Sequence, residues 1–182
     1  MNSKKKICKR CEKEVYIFAR GLCKSCDMIS NPVKYKIDRV SKEKTKKPKA
    51  KTLSQLKKEL DTIFSLYIRL IDSDANGNVA CFTSGKVYPY NKLQAGHYIS
   101  RRHLATRWHE WNVKPQSIAE NMFNQGNAPQ FAVNLDKLYG LGAAANLLEI
   151  SREDKKFTKD ELQEMITDYT EKVKQLKEQK GL

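Results

Sequence analysis

The chain has 182 residues, enough for one modest core or for a core with a small accessory module. Its 35 Lys and Arg against 21 Asp and Glu give a formal charge of +14, beyond what solubility requires, and call for a polyanionic partner whose condensed counterions the basic side chains displace. No apolar run approaches the roughly 20 residues that span a bilayer, and Met1 to Lys6 leads into cysteines rather than an apolar signal core, so a membrane is set aside as that partner and a cytoplasmic protein is expected.

Four of the five cysteines form two C-x-x-C knuckles, Cys8-Lys9-Arg10-Cys11 and Cys23-Lys24-Ser25-Cys26. In a reducing compartment this spacing favours a metal over disulfides. Each pair can chelate one side of a tetrahedral Zn²⁺, and the flanking Lys and Arg lower the cost of gathering four thiolates. Four thiolates leave no open coordination position, so such a zinc folds its module and does no chemistry. The fifth, Cys81, taken alone reads as a small buried hydrophobe. After Asn31-Pro32 the composition turns lysine-rich, densest around Lys46, Lys47 and Lys49, with too few apolar residues to order itself. This run is either a solvated tether or a basic arm on a DNA backbone.

Leu53, Leu56, Leu60, Ile63, Phe64, Tyr67, Ile68 and Ile71 recur at helical spacing, which predicts an amphipathic helix capped by Thr52 or Ser54 and packed on its own domain. Asn76-Gly77 marks a turn, Val79 to Phe82 a short strand, Thr83 to Lys86 a tight turn and Val87 to Tyr90 its return. Leu93 to Ile99 reads as the next strand, ending near His97. Lys114-Pro115 reads as the start of a helix over about Gln116 to Phe123, broken at Gly126-Asn127. Pro129 suits the first turn of another helix, closed by Tyr139-Gly140, and Ala143 to Ile150 a shorter one. Thr158 with Glu161 is a capping box for a final, mostly polar helix with Leu162, Met165, Ile166, Tyr169, Val173 and Leu176 as its stripe.

The centre of the chain is Gln94-Ala95-Gly96-His97-Tyr98-Ile99-Ser100-Arg101, followed by Trp108, Trp111, Asn112, Gln116, Asn121 and Asn127. A histidine ending a strand, a polar loop and a facing helix make the layout a one-metal nuclease needs. The histidine deprotonates water, a polar residue on the helix holds the cation, and an Asn in the loop braces the histidine. His103 and His109 read as surface histidines in a basic loop, and Trp108 and Trp111 as core.

Gln94-Ala95-Gly96-His97-Tyr98, taken with Arg107, Asn112, Gln116, Asn121, Gly126-Asn127 and Leu138-Tyr139-Gly140, resembles the NinG (Rap) family of lambdoid-phage recombination proteins over nearly the whole chain. The resemblance implies an α+β fold with a small ββα-metal, HNH-like core flanked by helices and an N-terminal four-cysteine zinc module. The corresponding layout is a zinc knuckle at 1–30, a basic linker at 31–51, the helix and HNH-like core at 52–142, and C-terminal helices at 143–182. It also implies a structure-specific endonuclease cutting branched DNA such as D-loops and Holliday junctions, in the cytoplasm of a phage's host. Within it His97 resembles the general base, Asn112 the central Asn that holds the loop, and Asn121 the final ligand, whose amide oxygen suits Mg²⁺ or Mn²⁺. Arg101 and Arg107 would clamp the scissile phosphate, and Lys46, Lys47, Lys49, Arg101, Arg102 and Arg107 would contact DNA.

The sequence departs from the pattern twice. Gly96 stands where many HNH nucleases place an Asp ligand, which leaves the cation's second protein ligand unnamed. The two further C-x-x-C pairs usual around such a core are reduced to Cys81 with Ser84 and Ser117 with Glu120, so no zinc is expected there, and packing by Trp108, Trp111, Phe123 and Phe131 is expected to replace it. A core without this clip allows a second reading, a non-catalytic zinc-containing protein binding branched or single-stranded DNA. Paired cuts on a two-fold junction would suit a homodimer, although no residue demands one.

Overall fold

A computed structural model describes residues 4–35 and 50–182. The chain forms two compact units, Met1–Ala50 and Lys51–Leu182. The fold class is α+β, with helices and, among the described residues, three two-stranded antiparallel sheets.

In the first unit β1 (Lys6–Ile7) pairs with β2 (Glu14–Val15), and the turn between them carries Cys8 and Cys11. A second turn, closed by a bridge between Ala19 and Leu22, leads to Cys23 and into α1 (Lys24–Ser30). Its buried Asp27 accepts hydrogen bonds from Tyr35 Oη and Arg20, each at 2.7 Å, which hold the carboxyl below the usual range and tie α1 to the second turn.

The second unit opens with α2 (Leu53–Ile71). Of the two candidate caps it is Thr52 that serves, in a reciprocal box with Gln55. The hairpin β3 (Asn78–Ala80) and β4 (Val87–Pro89) follows, and then β5 (Gln94–His97). A loop containing the short helix α3 (Leu104–Arg107) brings the chain back as β6 (Val113–Gln116), antiparallel to β5 with Gln94 opposite Gln116 and Gly96 opposite Lys114.

This return strand corrects the helix expected from Lys114-Pro115. Tyr98 N–H donates to Asn112 O, so the hydrogen-bonded pairs alternate down to Gly96/Lys114 and Gln94/Gln116. Pro115 falls opposite Ala95 between them, where the ladder asks no N–H of it, and its carbonyl accepts from Phe82 N–H at 2.7 Å. The expected helix shrinks to one wide π-type turn, Ala119–Phe123. Asn127 then takes a left-handed φ of 48° and starts α4 (Ala128–Tyr139), which ends at Gly140, and α5 (Ala143–Ile150) follows.

The last helix, α6 (Lys159–Lys180), begins with the expected box of Thr158 and Glu161. Its stripe meets that of α2: Leu56, Leu60, Phe64, Tyr67 and Ile68 share one core with Leu162, Ile166, Tyr169 and Val173, and Ala95, Trp108 and Val113 of the β5/β6 region join it. Phe64 meets Tyr169 edge-on at 4.9 Å. The segment 143–182 is thus continuous in packing with 52–142. A second cluster, Ile99, Phe131, Leu135, Ala144 and Leu147, seats the 98–112 loop on α4 and α5. Among the described residues no helix is long and apolar enough to cross a membrane.

Candidate functional site

Asn112 ties the two ends of the loop between β5 and β6 together from within. Asn112 is fully buried; its Oδ1 accepts from Ile99 N–H at 2.6 Å, and its Nδ2 donates to Ile99 O at 3.0 Å and Thr106 O at 2.9 Å. Asparagine suits this place because it carries an acceptor and two donors on one planar group, matched to one N–H and two carbonyls.

His97 ends β5 and reaches under that loop. Its Nε2 lies 3.1 Å from Arg107 O, and a carbonyl can only accept, so Nε2 carries the proton and Nδ1 keeps the lone pair. Burial, with help from the Arg101 charge, lowers its pKa to about 4, so the ring is neutral at physiological pH. Arg107 is itself fixed: Nε and Nη2 grip Asp61 of α2 at 3.0 and 2.6 Å, beside Trp108 Nε1 on the same carboxylate at 2.9 Å. The guanidinium expected to clamp a phosphate is here engaged by a carboxylate instead. The guanidinium is committed to Asp61, and Arg107 positions the histidine through its carbonyl. Asp61 was invisible as a site residue in the sequence, where it is one acid among the polar positions of an amphipathic helix.

Arg101 lines an open cleft of about 360 Å³ with Ala95, His97, Ser100, Asn121, Gln125 and Gly126. His97, Arg101 and Asn121 are thus brought together, and Arg102 is exposed on the neighbouring turn. Asn121 Nδ2 donates to Gln94 Oε1 at 2.7 Å, leaving its carbonyl oxygen for a cation. Lys46, Lys47 and Lys49 lie outside the described residues. Of the other histidines, His103 Nδ1 lies 3.0 Å from Ser151 O. His109 is half-buried rather than on the surface, accepting from Trp111 N–H, and burial lowers its pKa.

Where a second cysteine clip would close the core, hydrogen bonds do so. Ser117 N–H donates to Cys81 Sγ at 3.3 Å, Thr83 Oγ1 to Glu120 Oε2 at 3.1 Å, Asn127 Nδ2 to the same carboxylate oxygen at 2.8 Å, and Gln116 Nε2 to Thr83 Oγ1 at 3.1 Å. Burial raises the Cys81 thiol, but contacts with Ser84, Ser117 and Thr83 outweigh it and bring the pKa to about 7. The expected aromatic replacement is corrected: Trp108, Trp111 and Phe131 sit in the two cores, and Phe123 is 81% exposed. Glu120 and the Ser117 backbone thus close this part of the core through hydrogen bonds.

In the first unit the Sγ atoms of Cys8, Cys11, Cys23 and Cys26 all lie within 4.8 Å of one another. Cys11 and Cys23 are 3.9 Å apart, against an edge of about 3.8 Å for a tetrahedron with 2.3 Å Zn–S bonds. Backbone N–H groups of Cys11, Cys23 and Arg10 lower the Cys8 thiol to about 6, whereas Cys26, facing the Cys23 sulfur, is pushed up to about 12. Four sulfurs this close cannot all ionise without a cation between them, so the residues fit zinc, and the cluster can hold one. The protein as purified is expected to release one zinc per chain when its thiols are titrated with a mercurial. Cys8→Ser should release none and lose the protection of 4–35 amides in hydrogen exchange while 51–182 keeps its own. Zinc in full yield from Cys8→Ser would refute the cluster.

The class these features define is an α+β protein with a four-cysteine cluster in its first unit and, in its second, a half-buried neutral histidine lining a cleft with Arg101 and Asn121. Over residues 2–179 the chain matches the model of the family described as Bacteriophage Lambda NinG protein, and it belongs to that family. Neither the curated proteins nor the solved structures contain a match.

Proposed function

We propose that this chain is a metal-dependent, structure-specific endonuclease acting on branched DNA, D-loops and Holliday junctions, in phage recombination. In this reading β5, β6 and the turn bearing Asn121 form an HNH-like ββα core. The observation that carries it is a neutral histidine with Nε2 pinned to a carbonyl, facing one cleft with Arg101 and Asn121. Family membership and the +14 charge support DNA as the substrate.

His97 Nδ1 takes a proton from water as its oxygen bonds to phosphorus; the P–O3′ bond breaks, and the leaving oxygen takes a proton from solvent. Arg101, unlike Arg107, is free to hold the phosphate, and Asn112 keeps the loop that aims the base. A Mg²⁺ or Mn²⁺ ion on Asn121 would neutralise charge building on the phosphate and the leaving oxygen. The commitment of Arg107 to Asp61 favours one alternative, a junction-binding protein that does not cut.

The test is cleavage of a synthetic Holliday junction and a D-loop with Mg²⁺ or Mn²⁺. Wild type should cut, and His97→Ala should bind equally and lose at least about 100-fold in rate; binding by both with cutting by neither selects the alternative. Because the active form is neutral His97, the acid limb of the cleavage rate should fall near pH 4 rather than near 6.5. The same shift acts on folding. Between pH 6.5 and 4 the unfolded chain binds a proton that the folded one refuses. Stability is therefore complete above about 6.5 and declines as the pH falls, by up to about 3 kcal/mol, and His97→Gln should flatten this limb of a urea midpoint against pH profile.

A further inference from the structure

Among the described residues, Gln116 Oε1 is the one buried side-chain oxygen or nitrogen without a hydrogen bond, on a residue that is fully buried. The amide cannot be turned round to cure this. Its Nε2 lies 2.8 Å from Gly126 O, which can only accept, so the NH₂ must face that way and the oxygen the other. The oxygen is aimed over Gly96, where a Cβ would stand 1.8 Å from it. The amide oxygen thus occupies the place of a side chain on residue 96, immediately before the histidine.

We propose that Gln116 Oε1 is the second protein ligand of the catalytic cation, partnering Asn121 and supplying from β6 the oxygen that Gly96 cannot supply from β5. This rests on the nuclease reading above. Gln116 pairs with Gln94 across the hairpin, so both point to one face, and Gln94 is the residue that anchors Asn121. Gly126, whose absent Cβ would lie 4.0 Å from the orphan oxygen, lines the cleft together with Asn121 and His97. The carboxylate beside Asn121, Glu120, is turned onto Thr83 and Asn127. Two neutral amide oxygens are hard donors that suit Mg²⁺ or Mn²⁺ with water and phosphate completing the shell, and with no protein charge they hold the ion weakly until the phosphate arrives.

Weak binding is read best by paramagnetic broadening. Mn²⁺ is titrated into zinc-loaded, isotope-labelled protein, and the amide signals of Gly96 and Gly126 are followed without DNA. In wild type these two should broaden together within the titration, at higher Mn²⁺ than amides near surface carboxylates need. Gln116→Leu should need roughly 10- to 100-fold more Mn²⁺, and Gln116→Glu roughly 10-fold less. Gln116→Glu also guards against a folding artefact. If the residue were only structural, a buried carboxylate facing Gly126 O would lower Tm with no recovery on adding Mn²⁺; as a ligand it should recover. Equal titration midpoints in all three proteins, or no broadening at these glycines in wild type, would overturn the assignment. Junction cleavage by wild type in that case would leave the nuclease reading standing.

Discussion

Asn112→Ala is expected to cost about 3–5 kcal/mol, a large part of the 5–15 kcal/mol typical of a domain this size. The reason is the inventory of what is left behind. The deleted amide satisfies Ile99 N–H and Ile99 O, and a methyl group leaves both in a dry interior, while Thr106 O keeps the His109 N–H at 3.1 Å. Asn112→Asp should be nearly as damaging, since it keeps the acceptor for Ile99 N–H but sets a carboxylate against two carbonyl oxygens. A fall in the urea midpoint at unchanged slope, with faster exchange at the Ile99 amide, is the expected result. A loss below about 1 kcal/mol would mean that the loop is held by its apolar seat on α4 and α5 instead.

Gly96→Ala is the second large effect, about 3 kcal/mol or more. The new methyl meets Gln116 Oε1 at 1.8 Å, and relief requires Gln116 to leave Thr83 and Gly126, stranding the Gly126 carbonyl. The backbone at this position is ordinary strand, so close approach and not conformational freedom demands glycine. The double variant Gly96→Ala/Gln116→Ala should be more stable than the sum of the single losses predicts, because the clash disappears with its partner. Strict additivity in thermal melts would show that the two do not touch.

The helical frame could be read from the sequence because its signals are local. The stripes from Leu53 to Ile71 and from Leu162 to Leu176, the two capping boxes, Pro129 at a helix start and Gly140 at its end need only near neighbours to act, and each appears where its chemistry puts it. Pro115 misled because a proline after a loop is a good helix opener by local criteria. Its role as a strand residue depends on Ala95, twenty positions away in the chain, presenting a pair that asks for no donor. In the site, His97, Asn112, Arg101 and Asn121 were named from their pattern, and the structure sets three of them around one cleft with Asn112 bracing the loop. The partners that decide what these residues can do were not visible. Arg107 looks like a phosphate ligand until Asp61 is seen beneath it, and the meaning of Gly96 depends on where the Gln116 amide turns. Both pairings link chain segments far apart, and charge or polarity in a sequence does not reveal its partner.

The grip of Asp61 on Arg107 spans 46 residues and Gln116 meets Thr83 across 33, so each needs distant segments brought together before it can form. Until α2 docks, the Arg107 carbonyl has no fixed place and the imidazole no chosen tautomer. On the nuclease reading proposed above, a nascent or partly unfolded chain would carry its full positive charge, and so adhere to nucleic acid, while having no aimed base with which to cut it. Competence to hydrolyse would then wait for that docking, a built-in delay that separates attachment to DNA from damage to it.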